Sequence, residues 1–159
     1  MRTQGGFTLA ELVVVLLLTG ILAAVAIPRL FNQGEFAARG AHDLVGSALR
    51  HAQKSAIAMR RNVCVAVGTT SVAVTYASAA GSDQACAAAN TLANPATGQP
   101  FAGTVYPQGA TVSAATSLVF DALGRPLSAA LVPLNAATSI SVTSHATPIT
   151  IEPETGLVQ

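Results

Sequence analysis

The pattern of apolar positions divides the chain into three segments, and the first of them is almost continuously apolar. Between Phe7 and Ile27, roughly 21 residues, the only charged side chain is Glu11. At 1.5 Å per residue this segment makes a helix of roughly 30 Å, the thickness of a bilayer's hydrocarbon core. A helix that is apolar on all sides must lie in lipid or among other helices. We therefore predict a transmembrane helix over residues 7–27.

The second segment, residues 28–61, has the period of an amphipathic helix. Pro28 at its start removes a backbone hydrogen bond, which predicts a kink in the rod. From Glu35 to Met59, small and apolar residues recur at spacings of three and four, and most charged residues fall elsewhere. This stripe comprises Ala41, Leu44, Val45, Ala48, Leu49, Ala52, Ser55 and Met59. We expect the helix to lay the stripe on a sheet, because its small residues allow close approach.

In the third segment, residues 62–159, the apolar period shortens to two. Strands are predicted at Val63–Val67 and Ser71–Tyr76, with a hairpin turn at Gly68–Thr70 between them. Residues 78–102 are rich in Ser, Ala, Asn, Gly and Pro, which predicts a long surface loop. Further strands are predicted at 110–113, 118–120, 139–143, 148–151 and 156–158, and turns at 121–126 and 153–156. A long helix followed by a small antiparallel sheet is an α+β domain.

Glu11 distinguishes the first segment from an ordinary membrane anchor. A carboxylate about one turn inside a membrane helix costs on the order of 3 kcal/mol or more, and such residues usually have a partner. The nearest cation that makes chemical sense is a new α-amino group at Phe7, which exists only if the chain is cut after Gly6. The alternatives are a plain N-terminal anchor and a secretory signal cleaved at Ala24–Ala26. The early carboxylate and the length of the apolar run argue against a secretory signal.

The stretch Gly6-Phe7-Thr8-Leu9-Ala10-Glu11-Leu12, with the apolar run and Pro28 behind it, resembles the class III leader of type IV pilins and type II secretion pseudopilins. The resemblance implies that residues 1–6 are a leader peptide, that prepilin peptidase cuts between Gly6 and Phe7, and that Phe7 is N-methylated. It also implies that Glu11 pairs with the N-terminal amine of a neighbouring subunit during assembly. Ala10 departs from the Val or Ile often found at its position.

The second half of the chain is similar to the GspH/FimT-type pilin domain. The similarity lies in Leu118-Val119-Phe120-x-x-x-Gly124-Arg125-Pro126, in the closing strand pair around Thr155-Gly156, and in segments 37–39 and 61–65. It is greatest to minor pilins of the mannose-sensitive haemagglutinin (MSHA) pilus. It implies a pilin fold and a minor filament subunit whose partners are other pilins. The alternatives are a type II secretion pseudopilin of the GspH type and a DNA-binding FimT-like uptake pilin.

The same resemblance implies where the protein is found. It implies a single-pass protein of the bacterial inner membrane, with a cytoplasmic N-terminus and a periplasmic C-terminal domain, which later becomes part of an extracellular pilus. Arg2 ahead of the apolar run favours this orientation, although Arg29 on the far flank weakens the argument. In an oxidising periplasm, the even pair Cys64 and Cys86 predicts one disulfide, with two separate buried thiols as the alternative.

The composition gives little support for nucleic-acid binding. The net charge is +1, and the cations concentrate in residues 1–61 while carboxylates predominate in residues 62–159. Phosphate contacts need Lys and Arg, yet the tail 151–159 has neither, and an aromatic content of 4% leaves few stacking platforms. We therefore expect the helical cations to form a solvated or subunit-facing surface.

Catalytic and metal-binding patterns are not evident, so we predict no enzyme and no cofactor. His42 and His51 are nine residues apart, which places them on opposite faces of a helix, unable to share a metal. We expect these two and His145 to be solvated or partly packed. Asp121 and Arg125 flank a turn, where Asp commonly accepts hydrogen bonds from the backbone.

Overall fold

The protein combines helices with antiparallel strands, so the α+β class predicted from the sequence is confirmed. The computed structural model describes residues 8–31, 33–81 and 83–159. The chain divides into two compact units, Met1–Gln33 and Gly34–Gln159, and each is considered by itself.

The first unit contains helix α1, Leu9–Phe31. Thr8 caps its start, because the backbone N–H of Glu11 donates to Thr8 Oγ1 at 3.2 Å. Pro28 falls within the bounds of α1, and its side chain lies outside the described part of the chain. Among the described residues, the structure contains no helix with both the length and the apolar character needed to cross a membrane.

The second unit is built on helix α2, Gln33–Met59, which buries a stripe of small residues. The fully buried side chains of this stripe are Ala41, Val45, Ala48, Leu49, Ala52 and Ala56. Five of the eight predicted members of the stripe are therefore buried, whereas Leu44, Ser55 and Met59 are half-buried. Methyl groups make up most of this face, so the helix backbone packs close to the strands.

Helix α2 ends in a Schellman cap without a glycine. Arg60 takes the left-handed conformation, with φ at 52°. The N–H of Arg60 donates to the Ile57 carbonyl, and the N–H of Arg61 donates to the Ala56 carbonyl at 3.2 Å. These bonds satisfy carbonyls in the last turn and direct the chain into the first strand.

The main sheet is antiparallel, with strand order β3-β2-β1-β5-β6, and β4 also pairs with β2. Its strands are β1 Val63–Val67, β2 Ser71–Ala77, β3 Cys86–Thr91, β4 Ala102–Val105, β5 Thr116–Phe120 and β6 Pro126–Ser128. A short 3-10 helix, Pro107–Gly109, follows β4, and a second sheet pairs β7 Thr138–Ile140 with β8 Ile149–Ile151. Alternate valines of β1 join the stripe of α2 in one core, so the intervening Cys64 lies on the other face of the sheet.

The prediction of one long surface loop over residues 78–102 is wrong, because β3 forms within it. Its alanines and asparagine show no alternation of apolar and polar residues, and pairing with β2 decides the strand. The sequence predicted only a turn at 121–126, whereas in the structure Pro126 begins strand β6. Because β6 is an edge strand, the missing N–H of Pro126 is tolerated there.

Three predicted strands in the C-terminal part of the chain are shorter than expected, and the one at 139–143 is reduced to β7, Thr138–Ile140. Strands 110–113 and 156–158 are reduced to the isolated bridges Val112–Val142 and Ile151–Val158. In the second case Gly156, with φ at 67°, makes the turn that returns the chain towards β8.

Candidate functional site

The N-terminal motif is described from Thr8 onward. Gly6 and Phe7, the predicted cleavage and methylation residues, lie outside the described residues. Glu11 is in the first turn of α1, and its side chain is exposed. Ion pairs within 4 Å among the described residues join His42 to Asp43 and Arg125 to Asp121, so none involves Glu11. A carboxylate near a helix N-terminus is placed where the helix dipole favours it.

The apolar side chains of α1 are exposed around the whole helix. Every side chain that the structure describes from Leu9 to Ala24 is solvent-exposed. The polar group of Thr19 is satisfied within the helix, because its Oγ1 donates to the Val15 carbonyl at 2.8 Å. This exposed apolar surface needs cover from lipid or from other protein.

A disulfide joins Cys64 of β1 to Cys86 of β3, as the pair of cysteines predicted. In the sheet register, Cys64 is paired with Thr75 of β2, and Cys86 is paired with Ala77 of the same strand. The two Cα atoms are 6.0 Å apart, and the cysteines are 22 residues apart in sequence. Closing a loop of that length stabilises a domain by about 3 kcal/mol in the chain-entropy model.

Asp121 organises the turn that follows β5. Its buried carboxylate accepts hydrogen bonds from the N–H groups of Leu123 and Arg125 through Oδ1. Its Oδ2 accepts bonds from Arg125 Nε at 2.9 Å and Nη2 at 2.8 Å. The sequence predicted the backbone bonds but not the two-pronged ion pair. The result is a turn in which one carboxylate pairs with a guanidinium and with two backbone N–H groups.

Gln53 was not singled out from the sequence, and it joins the two C-terminal motifs. Its Nε2 donates to the Gly124 carbonyl at 3.1 Å and to the Thr155 carbonyl at 2.9 Å. A Cβ on Gly156 would collide with the Gly124 carbonyl oxygen, so the two turns are in contact. We call Gln53, Gly124, Thr155 and Gly156 the clasp. A search for apolar periodicity does not identify a glutamine at the edge of a buried stripe, because glutamine is polar.

Tyr106 fixes the turn between β1 and β2. Its hydroxyl lies 2.9 Å from the Gly68 carbonyl oxygen and 3.0 Å from that of Ser71, and donates to this pair. Burial raises the pKa of Tyr106 to about 12.

The histidines are packed against other parts of the domain. The rings of His42 and His145 stack with centroids 4.1 Å apart, and the ring of His51 lies 3.1 Å from the Ala93 carbonyl oxygen. His42 and His51 thus contact different segments of the domain. Within residues 8–31, 33–81 and 83–159, no three His, Cys, Asp or Glu side chains are grouped to hold a metal ion.

The comparisons with known proteins concern the N-terminal segment. Residues 1–27 match the sequence profile of the prokaryotic N-terminal methylation motif. Comparison with curated proteins and with solved structures gives no match. The motif implies processing by prepilin peptidase and assembly with other pilins. It indicates a type IV pilin-like or pseudopilin protein.

Proposed function

We propose that this protein is a structural, non-enzymatic subunit of a type IV pilus. The observation that carries the proposal is the exposed helical surface Leu9–Ala24, which is apolar except for Glu11 and Thr19 and lies within the methylation motif of residues 1–27. Cleavage between Gly6 and Phe7 frees the helix 7–27 from its leader. In the membrane, lipid covers this helix, and in the filament the helices of other subunits replace lipid.

Glu11 sets the register of assembly. Its carboxylate pairs with the N-methylated amine of Phe7 in a neighbouring subunit. A carboxylate left unpaired in an apolar filament core is costly, whereas a paired one is tolerated and fixes the height of the neighbour. One ion pair therefore makes only one axial position favourable.

The domain of residues 62–159 faces the periplasm before assembly and the outside of the pilus afterwards, and the amphipathic helix 28–61 connects it to the core helix. The Cys64–Cys86 disulfide supports this location, because such bonds persist in oxidising compartments. Arg2, ahead of the apolar run, supports a cytoplasmic N-terminus.

Within the pilus we place the protein among the minor subunits, of the MSHA type and most like the minor pilin MshC. The support is the GspH/FimT-type pattern at residues 118–126 and around Thr155-Gly156. These two stretches are far apart in sequence, but Gln53 donates a hydrogen bond to a carbonyl in each of them. This shared contact gives a structural reason why both stretches occur in one pattern.

A GspH-type secretion pseudopilin would share every feature above, and neighbouring genes for secretion or for a pilus distinguish the two. A FimT-like DNA-uptake pilin has one observation in its favour, the exposed cations Arg50 and Lys54 on α2. A gel-shift titration of the detergent-solubilised chain against salt tests it, since phosphate contacts give a steep salt dependence.

Mass spectrometry of the native N-terminus, together with the protein content of sheared filaments, tests the proposal. We expect a chain that begins at methylated Phe7 and is present in the filament fraction. A native chain that begins at Met1 or at Ile27 would overturn the proposal, because neither start provides the amine that Glu11 requires.

A further inference from the structure

Three exposed apolar side chains lie where α2 meets the two turns of the clasp. Ile57 is 49% exposed, Leu123 is 70% exposed and Leu157 is 52% exposed. A Cβ on Gly124 would lie 2.7 Å from Ile57 Cδ1, so Ile57 covers the glycine next to Leu123. Leu157 follows Gly156, which contacts Gly124. The three residues therefore lie close together in the fold, where α2 meets the two turns.

Hydrogen bonds hold the two turns that carry the leucines. The Leu123 N–H donates to the buried Asp121 carboxylate at 2.9 Å, and the Leu157 N–H donates to Thr155 Oγ1 at 3.2 Å. Gln53 ties both turns to α2. Apolar groups held in fixed positions lose little entropy when a partner binds, which distinguishes this surface from a loose apolar loop.

Cations border this surface on the helix side. Arg50 and Lys54 precede Ile57 by seven and three residues, so all three share one ridge of α2. Arg50 Nε donates to the Val158 carbonyl at 3.3 Å, which places its side chain beside Leu157. Within the described residues neither cation has a carboxylate within 4 Å, and residues 44–81 contain no Asp or Glu.

We propose that Ile57, Leu123, Leu157, Arg50 and Lys54, here called the clasp surface, dock an acidic protein surface on a neighbouring filament subunit. That subunit supplies carboxylates to the two cations and an apolar side chain between the leucines. The inference rests on the proposed function and adds the chemistry of the partner.

A protein partner fits this surface better than nucleic acid does. The clasp surface offers aliphatic side chains instead of the aromatic ones on which bases stack. Exposed aliphatic groups ringed by charge are typical of protein interfaces, where charge complementarity gives orientation and specificity.

The test uses the full-length chain in its native filament-bearing host, with a photo-crosslinking amino acid at position 123. We expect a crosslink to a filament subunit, in a peptide that contains Asp or Glu. Lys54→Glu should lower its yield at least fivefold, and Lys54→Arg should preserve it. Leu123→Ser, without the crosslinker, should lower recovery in sheared filaments at least fivefold. Val105→Ser, which alters an equally exposed apolar residue on β4, is the matched control and should leave recovery unchanged.

The outcomes separate the two proposals. If the wild-type chain is absent from filaments, the proposed function fails and the docking surface fails with it. If the wild-type chain is present but Leu123→Ser and Lys54→Glu are recovered normally, only the clasp surface is refuted. A crosslink to nucleic acid or to lipid, or to a peptide without carboxylates, also refutes it. Protease resistance and the intact disulfide show that each variant is folded.

Discussion

At the scale of single residues, the proposed pairing of Glu11 with the N-terminus of a neighbouring subunit gives a direct prediction. We predict that Glu11→Ala inserts into the membrane normally but is absent from filaments, because the variant cannot pair with a neighbour's N-terminus. Membrane fractionation and filament shearing measure the two quantities separately.

Thr19→Ala is the matched control for that experiment. Thr19 is a polar residue of the same helix whose hydroxyl already donates to its own backbone, so its loss should leave assembly intact. Normal incorporation of Glu11→Ala would refute the pairing role.

Tyr106 gives a prediction about pH. Because burial raises its pKa to about 12, the folded protein holds the phenol proton where the unfolded chain, with an ordinary pKa near 10, releases it. The unfolded state therefore binds fewer protons in this window, and stability falls as pH rises from about 10 towards 12. Tyr106→Phe should lose about 1 kcal/mol at neutral pH and show a shallower alkaline fall.

Thermal unfolding in detergent at neutral and alkaline pH, followed by circular dichroism, checks this prediction. An unchanged fall in Tyr106→Phe would contradict the assignment.

At the scale of elements, the clasp couples α2 to both C-terminal turns. Gln53→Ala removes two hydrogen bonds, to the Gly124 and Thr155 carbonyls, and should destabilise the domain by about 1–2 kcal/mol. Faster amide exchange should be confined to the turns 121–125 and 152–157. Ser47→Ala, whose hydroxyl bonds only within α2, should change stability by less than about 0.5 kcal/mol. Uniform exchange across the sheet would count against a local clasp.

Periodicity predicted the elements whose residues face one core. The stripe of α2 and the β1–β2 hairpin follow this rule, because Ala41, Val45 and Val63 alternate with polar or exposed residues in the correct period. Strand β3 could not be predicted in this way, because its residues are small and half-exposed and form a strand only by pairing with β2.

The candidate site was predictable in part for a similar reason. The leader motif is local, so it can be read directly from residues 6–12. The clasp is not local, because Gln53 acts on carbonyls 71 and 102 residues away. Contacts at such separations depend on the fold, and the sequence shows only the glycines that permit them.

At the scale of the whole molecule, the proposed function requires that the leader be removed before the apolar helix can enter a filament. We predict that Gly6→Leu blocks cleavage, because a bulky residue occupies the position before the scissile bond. Intact-mass measurement would then find the leader still attached. Gly20→Leu is the control, since a Cβ there meets nothing within 4 Å among the described residues, and it should be cut normally. A mature Gly6→Leu chain beginning at Phe7 would refute the prediction.

The buried alanines of α2 limit which amino-acid substitutions this protein can tolerate. Their methyl groups set the spacing between helix and sheet, so enlarging Ala41, Ala48 or Ala52 would push the layers apart, and overpacking of this kind typically costs about 1–3 kcal/mol. The contact between α2 and the sheet therefore tolerates few larger side chains. New partner preferences must therefore arise on the opposite ridge of the helix and on the tips of the turns, where side chains can change without moving the backbone.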